Sequence, residues 1–193
     1  MRVALPFGHG KISAEIADER ILAIAQNDLA LKEPTASADA LVAQALQKPI
    51  GSPPLYELAK GKQRVVLLAS DHTRPVPSKA IVPQMLQQIR RGNPNAEITI
   101  LIATGCHRGT THEELIRKFG PEICRCERIE IHDCQKSPMV DLGILPSGAP
   151  LRVNALAAQA DLLVAEGFIE PHFFAGFSGG RKSVLPGVCS TET

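Results

Sequence analysis

Three short stretches bring side chains that can carry protons or charge together with tight-turn residues. They are Ser70-Asp71-His72-Thr73-Arg74-Pro75, Thr104-Gly105-Cys106-His107-Arg108-Gly109 and Glu170-Pro171-His172. Histidine changes charge near neutral pH, so His107 and His172 are candidate general bases and acids, with His72 the third imidazole of these stretches. Arg74 can hold a carboxylate or a phosphate through two parallel hydrogen bonds, and Asp71 can orient it or a histidine. A plainer use is open for each: Asp71 can cap the turn that follows it, and a histidine can simply satisfy a backbone group.

A fourth stretch, Ser178-Gly179-Gly180-Arg181-Lys182-Ser183, invites an anion: glycines let backbone amides approach one and Lys182 adds a positive charge. It is not a Walker loop, because Arg181 stands where that motif needs a glycine before its lysine. A phosphate on some other cofactor, or a plain hinge, remains open. Phe168, Phe173, Phe174 and Phe177 crowd the same region. Packing the loop onto the fold is their commoner use, and lining a flat ligand the alternative.

The elements around these stretches define an α/β fold, a mainly parallel sheet with crossover helices preceded by a small N-terminal β-meander. Continuous apolar runs at 65–69, 97–103 and 161–165, with a shorter strand-like run at 128–132, alternate with helical patterns at 37–47, 55–60 and 78–91. Thr110 with Glu113 reads as a capping box opening a further helix that stops near Gly120 and Pro121. Residues 142–153 hold a dense turn signal, and Asn154 can cap a short alanine-rich helix. Apolar stretches at 2–6, 11–16 and 21–25 form the meander. In open parallel sheets ligands sit beyond the carboxyl ends of the strands, which is where the three histidine stretches fall. The whole chain, 1–193, reads as a single α/β domain.

Bulk properties narrow the partners. The 21 basic and 20 acidic residues leave a net charge of +1, which gives no bulk attraction for nucleic acid. No apolar run approaches the roughly 20 residues that span a bilayer, and the first ten residues lack the pattern of a signal peptide, so no membrane partner and a cytoplasmic location are expected. Five cysteines fit reduced thiols. Cys124, Cys126, His132 and Cys134 offer zinc donors, but Cys124 and Cys126 are too closely spaced for a structural zinc pair. Alternation along a strand is the simpler reading.

Taken together, Asp71-His72-Thr73-Arg74-Pro75, Gly105-Cys106-His107-Arg108 and the long run from Glu170 through Lys182 resemble the lactate racemase family that uses a nickel-pincer nucleotide. The resemblance follows motif order through the chain, with little specific signal in the first 60 residues. It implies a racemase or epimerase of a 2-hydroxy acid whose cofactor is a pyridinium mononucleotide holding nickel, attached covalently at Lys182 and made by dedicated cofactor-maturation enzymes. It assigns His107 and His172 as alternating base and acid, Asp71 and Arg74 to substrate placement, and Ser178, Gly179 and Gly180 with Lys182 to the cofactor. The implied chemistry removes the hydroxyl proton to a histidine and the α-hydrogen as hydride to the cofactor. The planar 2-oxo acid so formed can be reduced on either face.

The family's nickel also takes a histidine downstream of the lysine motif, and no histidine follows His172 before Thr193. That protein ligand and a second α/β domain are therefore expected beyond Thr193, with Cys189 the soft donor within reach in sequence. The isolated piece is expected to be inactive. The contrasting reading is a non-catalytic module whose Gly-rich loop binds a phosphorylated metabolite or nucleotide.

Overall fold

Apolar Val3, Leu5 and Phe7 alternate with other residues along β1 (Arg2–Phe7), which pairs antiparallel with β2 (Gly10–Glu15) in the register Val3 to Ala14 and Leu5 to Ile12. The expected three-part meander is a two-stranded hairpin here. A 3₁₀ turn at Asp18–Arg20 follows, and residues 21–24 carry no strand. The computed structural model describes residues 1–24, 33–172 and 176–193, so residue 25 of the third stretch lies outside the described residues. Residues 1–36 and 37–193 are two separate compact units.

The second unit is built on four parallel strands in the order β5-β4-β3-β8: β3 (Arg64–Ser70), β4 (Glu97–Ala103), β5 (Arg128–Ile131) and β8 (Leu162–Ala165). This is the α/β architecture the apolar runs predict. Successive side chains of a strand point to opposite faces. Val65, Leu67 and Ala69 enter one buried cluster with Ile98, Ile100 and Ile102, whereas Val66 and Leu68 join Leu101 in another. A strand buried on both faces has no room for polar alternation, which is why these runs are continuous.

Helices cover the first face. α1 (Ala38–Gln47) is capped by Ser37, whose Oγ accepts from Ala40 N at 3.3 Å. The short α2 (Leu55–Leu58) leads into β3. α3 (Ser78–Gly92) buries Val82, Met85, Leu86 and Ile89, spaced three and four apart, and runs through Pro83 in its first half. α4 (His112–Phe119) begins one residue later than the Thr110 box predicts: Thr111 is the cap and Glu114 its reciprocal partner. Thr110 is buried and its hydroxyl meets His72 Nδ1 at 3.1 Å, so it is engaged elsewhere. Gly120 ends α4 at φ 88°, and Pro121 opens α5 (Pro121–Cys126), since a proline lacks only an N–H that a helix start does not need. Cys124 and Cys126 therefore lie on a helix, not on a strand, and Cys124 packs against the first core.

The other face is covered by the hairpin β6 (Met139–Ile144) and β7 (Pro150–Asn154), by α6 (Ala155–Ala158), and by the final segment. Asn154 caps α6 as expected, accepting from Leu156 N at 3.0 Å. Val188 and Cys189 are buried here, bridged to β7 through Asn154 N to Val188 O at 2.8 Å and through Val153 opposite Cys189. Two small strands, β9 (Pro171–His172) and β10 (Gly176–Phe177), pair between β8 and this segment.

Candidate active site

Parallel pairing sets β3 and β4 level at their carboxyl ends, with Ser70 opposite Ala103, and places Leu68 of β3 opposite Ala165 of β8. The loops leaving these ends converge on a cavity of about 490 Å³, large enough for a small organic ligand. Asp71, Arg74, His107, His172, Ser178, Gly179 and Lys182 all line it. Gly180 does not; it is exposed and opens the 3₁₀ turn Gly180–Ser183 that carries Lys182. His72 points elsewhere, toward Thr110 and, at 3.7 Å, Glu114.

Asp71 does both things its sequence position allows. Oδ1 accepts from Thr73 N at 2.9 Å and Thr73 Oγ1 at 2.6 Å, closing the turn, while Oδ2 meets His107 Nδ1 at 2.5 Å. Burial of this carboxylate raises its pKa. The hydrogen bonds from Thr73 and His107, with the imidazole's charge when protonated, outweigh that and hold Asp71 below its ordinary value. An ionised Asp71 only accepts, so His107 carries its proton on Nδ1 and keeps Nε2 for a ligand. Asp71 is 1% exposed and the His107 side chain 44%, an arrangement with a fixed inner end and an open outer one.

A second buried carboxylate, Glu166, directly follows β8, and sequence reasoning missed it. It accepts from Ser70 N at 3.0 Å, Ser70 Oγ at 3.1 Å and Ser78 Oγ at 3.1 Å. It thereby ties the ends of β8 and β3 to the start of α3 and forms part of the cavity wall. Its signal was its place, an acid immediately after a buried strand at the ligand end of the sheet.

The lysine segment is held by backbone. Gly179 has φ 79°, and a Cβ there would lie 2.8 Å from Phe168 O, so only glycine fits. Gly187 packs so that a Cβ would come 2.3 Å from Ser183 O and 2.9 Å from Lys182 O. Gly187 N donates to Lys182 O at 3.0 Å and Gly105 N to Gly187 O at 2.9 Å, which joins the lysine segment to the His107 loop. Ser178 closes the neck of the preceding excursion: its Oγ accepts from Glu170 N and donates to Phe168 O, both at 2.9 Å, and its N donates to Glu170 O.

Phe168 lines the cavity and Phe177 is 64% exposed, so neither is core; Phe173 and Phe174 lie outside the described residues. Cys189 is buried, donates to Val184 O at 3.1 Å and has its pKa raised by burial, which removes it as a soft metal donor. Among the described residues no three His, Cys, Asp or Glu side chains form a metal ligand set. The zinc alternative thus has no such set behind it among those residues, and His132 is engaged between Cys189 O at 2.9 Å and Asn154 Nδ2 at 3.1 Å. No described helix is long and apolar enough to cross a membrane.

Known proteins resemble this chain in sequence and fold. The chain is 49% identical over 98% of its length to the lactate racemase of Thermoanaerobacterium thermosaccharolyticum, and 49% identical over 99% to that of Lactiplantibacillus plantarum. It spans 45% of the length of each. The lactate racemase apoprotein structure from the former organism superposes with a TM-score of 0.88 over 98% of this chain and 44% of that one. A structure from Thermotoga maritima, 25% identical, matches with 0.60 over 80% of this chain and 38% of its own. Residues 7–193 match the family model of the lactate racemase N-terminal domain, and the chain belongs to that family.

Proposed function

We propose that this chain is the cofactor-bearing α/β part of a 2-hydroxy acid racemase or epimerase that works by proton-coupled hydride transfer. The observation that carries the reading is one cavity shared by two histidines, an arginine and a lysine, with one histidine held by a buried carboxylate. A racemase needs a proton-handling group for each hand of its substrate, and His107 and His172 supply two.

The residues fit the cofactor that the family uses. Lys182 is half-buried on the cavity wall, in a turn opened by two left-handed glycines. Gly180 is exposed and lies off that wall, whereas Ser178 and Gly179 stand on it beside the lysine. Lys182 would hold that nickel-pincer nucleotide covalently, with Ser178, Gly179 and Gly180 beside it. When bound, the group supplies an acceptor for the α-hydrogen as hydride.

The protein's own residues do the rest. Arg74 pairs with no described carboxylate and is available to the carboxylate of a 2-hydroxy acid. His107 Nε2 takes the hydroxyl proton, and ionised Asp71 faces the imidazolium so formed through a charge-assisted bond at Nδ1. His172 serves the opposite hand. Burial of Asp71 and Glu166 at the cavity floor fixes both loops before substrate arrives.

Full-length protein matured with its cofactor-making enzymes and nickel tests this. A nucleotide-sized adduct on Lys182 by tryptic mass mapping, with exchange of the α-hydrogen of a 2-hydroxy acid, is the expected result. Intact cofactor without exchange in any 2-hydroxy acid would end the racemase reading.

A further inference from the structure

A second cavity of about 450 Å³ opens between the loop after β3, the start of α3 and α4. Its wall presents Arg74, Lys79, Arg117 and Lys118, together with His72, against the single carboxylate of Glu114. That carboxylate is already engaged. Arg108 holds it at 2.6 and 2.9 Å and Thr111 N at 2.8 Å, which pulls its pKa down to about 2. Arg74, Lys79, Arg117 and Lys118 form no ion pair with any described carboxylate.

Lys118 is half-buried and donates to Arg74 O at 3.3 Å. Burial pushes its pKa down, and the more distant charges of Glu166 and Asp71 only partly offset that. Clustered cations in a hollow repel one another, a cost that an anion seated among them removes. Two guanidinium forks and two ammonium groups offer more donors than one carboxylate can accept, whereas a phosphate dianion presents three oxygens and twice the charge. Val76 and Pro77 add an apolar side to the same cavity, and its volume suits a small metabolite.

We infer that this cavity is a binding site for a small phosphate-bearing anion, separate from the cavity of His107 and His172 and joined to it by Arg74, which lines both.

Calorimetric titration of the full-length protein with inorganic phosphate, at constant ionic strength and beside chloride and lactate, tests the assignment. Saturable phosphate binding is expected, undisplaced by lactate. It should weaken about tenfold or more in the double variant Lys79→Ala/Arg117→Ala, because each charge-assisted bond is worth at least about a factor of ten. Both residues are exposed, so the variant should fold, with circular dichroism as the check, and Lys79→Arg/Arg117→Lys should restore binding. Absence of saturable binding, equal affinity in the double variant, or displacement by lactate would each overturn the site. So would loss of phosphate binding when the protein is loaded with its nucleotide, which would assign the cavity to the cofactor's own phosphate. None of these readouts depends on racemase activity.

Discussion

Asp71 and His107 are 36 residues apart in sequence and meet at 2.5 Å between Oδ2 and Nδ1. Each comes from the loop after a different strand, and the level pairing of those strands makes the contact.

Asp71→Asn should keep the fold and lose the chemistry. The amide oxygen can still accept from Thr73, which leaves its NH₂ facing His107 and forces Nδ1 to accept. The imidazole proton then sits on Nε2, the wrong nitrogen for a base. Racemisation by the matured full-length enzyme should fall by about 10²–10⁴, with a smaller change in KM, since Arg74 is untouched. Steady-state kinetics on both enantiomers checks this; unchanged kcat would remove Asp71 from its orienting role.

Glu166→Ala should destabilise the protein by about 1–3 kcal/mol, because buried Ser78 and the amide of Ser70 lose their acceptor. Glu166→Gln keeps one carbonyl acceptor and should cost less. Urea unfolding of the two variants gives the comparison, and equal losses would mean the charge, not the hydrogen bonding, matters.

His132 predicts a pH dependence of stability. Burial pushes its pKa below 6.5, and the bond to Cys189 O and the charge of Asp133 only partly counter this. The unfolded chain therefore takes up a proton near 6.5 that the folded chain refuses. The stability it contributes is complete above that pH and lost as pH falls toward the folded-state value. Its geometry agrees, with Nε2–H donating to Cys189 O and Nδ1 accepting from Asn154. Melting temperature should drop between pH 7 and 5, and the slope should flatten in His132→Gln, which cannot be protonated there.

Gly187→Ala should disturb Lys182 from a distance. The new methyl would press on Ser183 O and Lys182 O, costing about 1–3 kcal/mol as an overpacked contact. A lower melting temperature and incomplete modification of Lys182 in matured protein are expected. Full modification at wild-type stability would show that the segment can yield.

Periodicity made the sheet legible in the sequence, because strands buried on both faces must be apolar throughout, and 97–103 matches β4 at both ends. Pattern placed Ser37 and Asn154 as caps for the same reason: a polar oxygen stands just before an apolar helix. The failures share a cause. Thr110 and Thr111 are equivalent as caps until His72 claims the first, a contact 38 residues away in sequence. Glu166 looks like an ordinary strand-end acid until Ser70 and Ser78 converge on it. Likewise, Phe177 reads as core by type but stands in solvent. Local chemistry is written locally; which of two equivalent groups is used depends on partners brought in by the fold.

The knot of hydrogen bonds at Ser178 separates two duties along one stretch of chain. His172 lies inside the small excursion that Ser178 closes against Phe168 and Glu170, whereas Lys182 lies outside it, pinned by its own glycine contacts. Residues added or removed between Glu170 and Ser178 would shift the histidine's reach and leave the lysine in place. On the function proposed above, the stretch could be retailored for bulkier or slimmer acids without moving the lysine.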